Sequence, residues 1–210
     1  MGLPLSLQFA RSGLKVLGLD IDPVKIDRIH AGRTYIKHIP GAAIKEQVQA
    51  GRFRASTDFS EIRRVDAIIL CVPTPLTKNR EPDISYIVNT GRSIAPFLRK
   101  VVLVVLESTT YPGNTEHELR QVLEADSGLR AGRDFHLAFS PEREDPGNPQ
   151  SKVGDIPKVV GGLTPACTRM AAALYGRAIK TVVPVSSCRA AEATKILENT
   201  FRSVNIALVN

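Results

Sequence analysis

The sequence predicts an α/β fold: a doubly wound, mainly parallel sheet with helices on both faces. Three observations carry this. Apolar runs of strand length alternate with amphipathic helical stretches along almost the whole chain. The run Asp66 to Val72 is apolar after its first residue, as in a strand covered on both faces. Asp22-Pro23 supplies a capping carboxylate followed by proline at a first helical position, so a helix follows at once on the strand Lys15 to Leu19.

The elements then follow in order. Leu5 to Ser12 is helical and ends at Gly13; the helix opened by Pro23 runs to about Ala31. Ala42 to Ala50 is helical, Phe53 to Ala55 is a short strand, and Thr57 or Asp58 caps a brief helix. Pro73, Pro75 and Pro82 stiffen a loop; Asp83 or Ser85 then starts a helix to about Leu98, and Val101 to Leu106 is a strand. A helix runs from Gly113 to about Ala125, before the strand Phe135 to Phe139. Residues 140–157 hold four prolines and two glycines, too long and stiff for an idle connection. The strands Lys158 to Val160 and Lys180 to Pro184 flank the helix Pro165 to Gly176. Ser186 or Ser187 caps a last helix whose Leu197, Phe201, Val204 and Leu208 form one apolar stripe.

Composition narrows the function classes. The net charge of +7 is spread along the chain without a nucleic-acid motif, which weighs against nucleic acid as partner and suits a small dianionic substrate. No run approaches a membrane span or a signal peptide, and the three cysteines (Cys71, Cys167, Cys188) lack metal or redox spacing, which points to the reducing cytoplasm.

Besides a cofactor corner at Asp20, four constellations, each after a strand or on a helix, bear chemistry. Asp20 ends the strand Lys15 to Leu19, where a carboxylate accepts the ribose hydroxyls of a dinucleotide and favours NAD over NADP. Gly2 stands about 18 residues earlier, where the third glycine of Gly-x-Gly-x-x-Gly is expected. On this reading the chain starts inside its own cofactor unit, with the first strand missing, and the last helix runs on beyond Asn210. Val72-Pro-Thr-Pro75 and Glu107-Ser-Thr-Thr-Tyr-Pro-Gly113 place hydroxyls and amides at strand ends. Ser140-Pro-Glu-Arg-Glu-Asp-Pro-Gly-Asn148 gathers carboxylates and a guanidinium. Lys195 and Asn199, four residues apart, share a helix face with Glu192 and Arg202 and can steady an oxyanion. The four runs after that corner each have a bland counterpart: a rigid turn, a helix cap by Thr110 or Asn114, a solvated loop, and a solvated face with a Glu192–Lys195 pair.

Together these runs, with Gly2-Leu-Pro-Leu5, Tyr35-Ile-Lys-His-Ile-Pro40 and Thr194-Lys-Ile-Leu-Glu-Asn199, resemble the nucleotide-sugar 6-dehydrogenases, the UDP-glucose/GDP-mannose dehydrogenase family. The nearest resemblance is to its UDP-N-acetylglucosamine-type members. The resemblance implies a Rossmann-like NAD-binding domain over residues 1–185, the start of a central dimerisation helix over 186–210, and an absent C-terminal UDP-binding domain. It implies oxidation of a UDP-sugar C6 alcohol to a carboxylate with NAD as acceptor twice, through a cysteine thiohemiacetal, in a cytoplasmic homodimer serving polysaccharide synthesis. Asp20 and Lys25 then hold the adenosine ribose, Gly2 belongs to the pyrophosphate turn, and Thr74 and Thr109 line the cofactor. Thr109 also orients a water, Glu142 and Arg143 face the substrate, and Lys195 and Asn199 stabilise oxyanions. None of the three cysteines stands in the family's nucleophile context, so the chain by itself is expected to be inactive. Two other readings remain: a 6-phosphogluconate or β-hydroxyacid-type dehydrogenase, and a non-catalytic NAD-binding remnant.

Overall fold

The computed structural model describes residues 2–36, 39–79, 81–142 and 153–209. In chain order the elements are α1 (Gly2–Arg11), β1 (Val16–Leu19), α2 (Pro23–His30), α3 (Gly41–Gln49), β2 (Phe53–Ser56), β3 (Ala67–Leu70) and α4 (Ser85–Ile94). Then come β4 (Leu103–Leu106), α5 (Arg120–Ser127), β5 (His136–Phe139), β6 (Lys158–Gly162), α6 (Pro165–Tyr175), β7 (Val182–Val185) and α7 (Cys188–Val209).

Local chemistry accounts for most boundaries. The Asp22 carboxylate accepts from Val24 N–H at 2.9 Å ahead of Pro23, and Thr164 and Ser187 hydroxyls accept from Cys167 and Ala190 N–H. Asp58, rather than Thr57, holds Ser60 N–H at 2.9 Å and starts a short 3-10 turn. α4 stops at Ile94, short of the expected Leu98, because Pro96 has no N–H to continue it and residues 95–97 tighten into a 3-10 turn. The single helix expected after Gly113 is in two parts: a π-helical turn, Thr115–Leu119, then α5, which ends at Gly128 with φ +70°.

β3, β4 and β5 are parallel, β6 runs antiparallel to β5, and β7 is parallel to β6; β1 and β2 form a separate parallel pair. Among the described residues β1 pairs only with β2 and β3 pairs only with β4 on its side of the sheet, so the parallel sheet is in two parts. The parts share one core, because Val16 of β1 and Ala67 and Ile69 of β3 pack on the same cluster as Leu5, Phe9 and Val105. Alternation along β4 sends Val104 and Leu106 to the face covered by α4 and α5, and Leu103 and Val105 to the face covered by α1 and α6. Both faces are therefore apolar, as in a doubly wound sheet.

Among the described residues no helix is long and apolar enough to cross a membrane. The apolar stripe of α7 lies outside this core: Leu197, Phe201, Val204 and Leu208 are exposed.

Candidate functional site

The residues that bear chemistry gather at the C-terminal ends of β1, β3, β4 and β5, where open α/β sheets take ligands. Asp20 directly follows β1. Its carboxylate receives Lys25 Nζ at 2.9 and 3.2 Å and the Asp22 N–H at 3.0 Å, so it is aimed before any ligand arrives. The hydrogen bond to Asp20 raises the Lys25 ammonium above its usual value, which keeps this cation charged. The phenol of Tyr35 is raised by burial and then by the Asp20 charge, which places Tyr35 at the same corner.

Gly2 opens α1, and a side chain there would meet Cys71 Cβ at 3.4 Å just beyond β3. The helix N-terminus therefore faces the C-terminal end of β3, the geometry in which backbone N–H groups receive a phosphate. Thr74 is half-buried in the proline loop after β3, which is closed by an Asp83 N–H bond to Pro75 O at 2.7 Å. Ser108 ties that loop to β4: its hydroxyl donates to Val72 O at 2.7 Å and accepts from Val72 N–H at 3.0 Å.

Thr109 is half-buried beside Ser108, and the next residue, Thr110, is buried with a hydroxyl that finds no partner among the described residues. A buried hydroxyl without a partner costs free energy unless something absent supplies one. Thr110 is thus a second candidate hydroxyl after β4, beside Thr109 in the same hydroxyl-bearing run. Neither Thr110 nor Asn114 caps the following turn; a distant carboxylate does. Glu192 of α7 is fully buried and accepts from Gly113 N–H at 2.6 Å, Thr115 N–H at 3.0 Å and the Thr115 hydroxyl at 2.7 Å. The solvated Glu192–Lys195 pair is therefore corrected: Glu192 turns inward and accepts from three donors at a helix start, where backbone N–H groups lack intrahelical partners.

Glu142 and Lys195 are brought together, with Lys195 Nζ donating to Glu142 O at 2.6 Å. Beneath them lies a buried ionic group. Lys158 Nζ is 2.8 Å from Glu107 Oε1 and 3.6 Å from Glu142 Oε2, and the Tyr175 hydroxyl donates to Glu107 Oε1 at 2.5 Å. Burial by itself depresses the Lys158 ammonium, but attraction to Glu107 and Glu142 outweighs it and holds the group protonated. Asn199, one turn beyond Lys195, is exposed and is not drawn into this cluster. Arg143 lies outside the described residues. Burial pushes the thiols of Cys71 and Cys188 well above the usual range, so neither supplies a thiolate. Among the described residues no group of His, Cys, Asp and Glu could hold a metal ion.

The arrangement fits a dinucleotide. A preoriented carboxylate follows β1, a helix N-terminus opens with glycine, and an orphan hydroxyl stands in the loop after β4. Comparison with known proteins agrees. The sequence profile described as "UDP-glucose/GDP-mannose dehydrogenase family, NAD binding domain" matches residues 1–179. The UDP-N-acetyl-D-glucosamine 6-dehydrogenase of Pseudomonas aeruginosa is 36% identical over 211 residues, covering 100% of this chain and 49% of that protein. The UDP-N-acetyl-D-mannosamine dehydrogenase of Escherichia coli K12 is 37% identical over 217 residues, with 100% and 51% covered. The crystal structure of NDP-N-acetyl-D-galactosaminuronic acid dehydrogenase from Methanosarcina mazei superposes with a TM-score of 0.91 at 36% identity, covering 100% of this chain and 46% of that one. The chain spans about half the length of the curated relatives it matches. It belongs to the UDP-glucose/GDP-mannose dehydrogenase family, and its Rossmann-like fold is that family's NAD-binding domain.

Proposed function

We propose that the protein containing this chain is an NAD-dependent 6-dehydrogenase of a UDP-N-acetylhexosamine, UDP-N-acetylglucosamine in the first place, forming the uronic acid for surface polysaccharide. The observation that carries the reading is the meeting of Lys195 with Glu142 at the C-terminal edge of the sheet. Residues 1–185 serve as the NAD-binding domain and residues 186–210 begin a dimerisation helix, for which the exposed apolar stripe of α7 is suited. Work in the cytoplasm as a homodimer, with no nucleic acid or membrane partner, belongs to the same reading.

When bound, NAD accepts the hydride from the sugar C6. Asp20 and Lys25 hold the adenosine ribose, Gly2 admits the pyrophosphate to the start of α1, and Thr74 and Thr109 line the cofactor. Lys195 Nζ, together with the Asn199 amide, donates to the C6 oxygen as negative charge develops there. The Glu142 carboxylate faces the sugar and takes a proton from the water that Thr109 orients; Arg143 contacts the substrate beside it. The relatives named for both N-acetylglucosamine and N-acetylmannosamine support the hexosamine class.

The test is the NADH yield of the natural gene product on limiting UDP-N-acetylglucosamine and UDP-N-acetylmannosamine. Two NADH per sugar consumed supports a 6-dehydrogenase. One NADH per sugar points to a single-hydride enzyme of the β-hydroxyacid type, and NAD binding without turnover on either sugar rejects the reading.

A further inference from the structure

Glu142 is approached from below by Lys158, which contacts neither the sugar nor the cofactor in the proposed reaction. β6 runs antiparallel to β5, with Ala138 opposite Gly162 and Phe139 opposite Gly161. β5 ends at Phe139, and the chain continued in the same direction brings Glu142 alongside Lys158, the first residue of β6. The side chains meet as the register requires: Lys158 Nζ lies 3.6 Å from Glu142 Oε2. The Ser140 hydroxyl, donating to Val159 O at 2.8 Å, ties the two chains between these points.

Lys158 is itself anchored from inside. Its side chain is 6% exposed, and it sits 2.8 Å from Glu107 Oε1, whose residue is 1% exposed. Tyr175, at the end of α6, donates to the same oxygen at 2.5 Å and lays its ring 5.5 Å from the ammonium. The Cys71 thiol, 3.7 Å away, faces the other Glu107 oxygen. A buried pair of opposite charges gives little net stability against an apolar replacement, so Lys158–Glu107 alone leaves the ammonium unexplained. The outward contact supplies the reason. Lys195 holds the main chain of Glu142 and Lys158 holds its carboxylate, so the residue is fixed at two points.

We propose that Lys158 is a positioning residue, anchored by Glu107 and Tyr175, that holds the Glu142 carboxylate in place at the cleft. This rests on the reading of Glu142 as the substrate-facing carboxylate. Lys158, at the head of β6, thus acts through Glu142 and touches neither sugar nor cofactor.

Two measurements test it. The first is NMR of the Nζ ammonium groups in the full chain grown with 15N-lysine. A buried, hydrogen-bonded ammonium exchanges slowly enough to be seen, and Lys158→Arg identifies its resonance. Glu142→Gln is expected to shift that resonance; an unmoved resonance overturns the proposal whatever the protein catalyses. The second uses the double variant Glu107→Gln/Lys158→Met in the natural gene product, in which both buried charges are removed together. A fall in kcat of at least about tenfold, with KM for NAD unchanged, is expected for lost positioning. An unchanged kcat in the folded variant overturns the proposal. Absence of dehydrogenase activity in the parent protein refutes the functional reading instead, and the NMR arm then decides the Lys158–Glu142 contact alone.

Discussion

Glu192→Ala is expected to damage the fold more than any exposed substitution on α7. The carboxylate is fully buried and receives two backbone N–H groups and one hydroxyl from residues 113–115. Alanine leaves the N–H groups of Gly113 and Thr115 without an acceptor in a buried turn, at about 1–3 kcal/mol each. Release of the desolvated carboxylate offsets part of this, and a net loss of about 3–4 kcal/mol remains, or about 10 °C in Tm for a domain of this size. Glu192→Gln keeps one acceptor oxygen and is expected to cost less, about 1–2 kcal/mol. Urea unfolding followed by circular dichroism measures both. The pH dependence gives a second check. Burial pushes the Glu192 carboxyl above the ordinary range, so the unfolded chain releases this proton first as pH rises. Its contribution is therefore full below the ordinary carboxylate pKa and declines as pH climbs through the raised native value. Glu192→Gln removes that decline. A Glu192→Ala variant within about 1 kcal/mol of the parent would refute the capping role.

Three further outcomes are expected. Gly161→Ala would place its Cβ 2.0 Å from Ser187 O, where β6 passes under the start of α7, and should cost more than about 3 kcal/mol or yield no folded protein; a normal Tm speaks against this packing. Asp22→Ala removes the 2.9 Å bond to Val24 N–H and should cost about 1 kcal/mol by urea titration, whereas a loss above about 3 kcal/mol would mean that more than a cap was removed. Asp20→Ala should weaken NAD binding by about tenfold or more while narrowing the gap to NADP, read by calorimetry; an unchanged NAD-to-NADP ratio contradicts its role.

The elements were legible because their signals are local. Asp22-Pro23 opens a helix from within two residues, and the apolar run before Cys71 reads as strand without knowledge of its neighbours. Asp20 was legible for the same reason, since its place at a strand end and its partner Lys25 are set by nearby sequence. What stayed hidden depends on pairings between distant segments. Glu192 caps a turn 77 and 79 residues away, and nothing beside it in sequence shows that this face of α7 turns inward. Lys158 carries no spacing signal, because its approach to Glu142 follows from the reversed direction of β6. Thr109 and Thr110 are adjacent in sequence, and only the side of the chain that each presents distinguishes a half-buried hydroxyl from a buried, partnerless one.

The central claim is that the edge formed by the ends of β1, β3 and β4 receives NAD. Titration of NAD into the 15N-labelled chain, followed residue by residue, tests it most directly. The largest shifts are expected at Gly2, Asp20, Thr74, Thr109 and Thr110, with NADP producing weaker changes. Shifts centred elsewhere, or none at millimolar NAD in a folded sample, would contradict it.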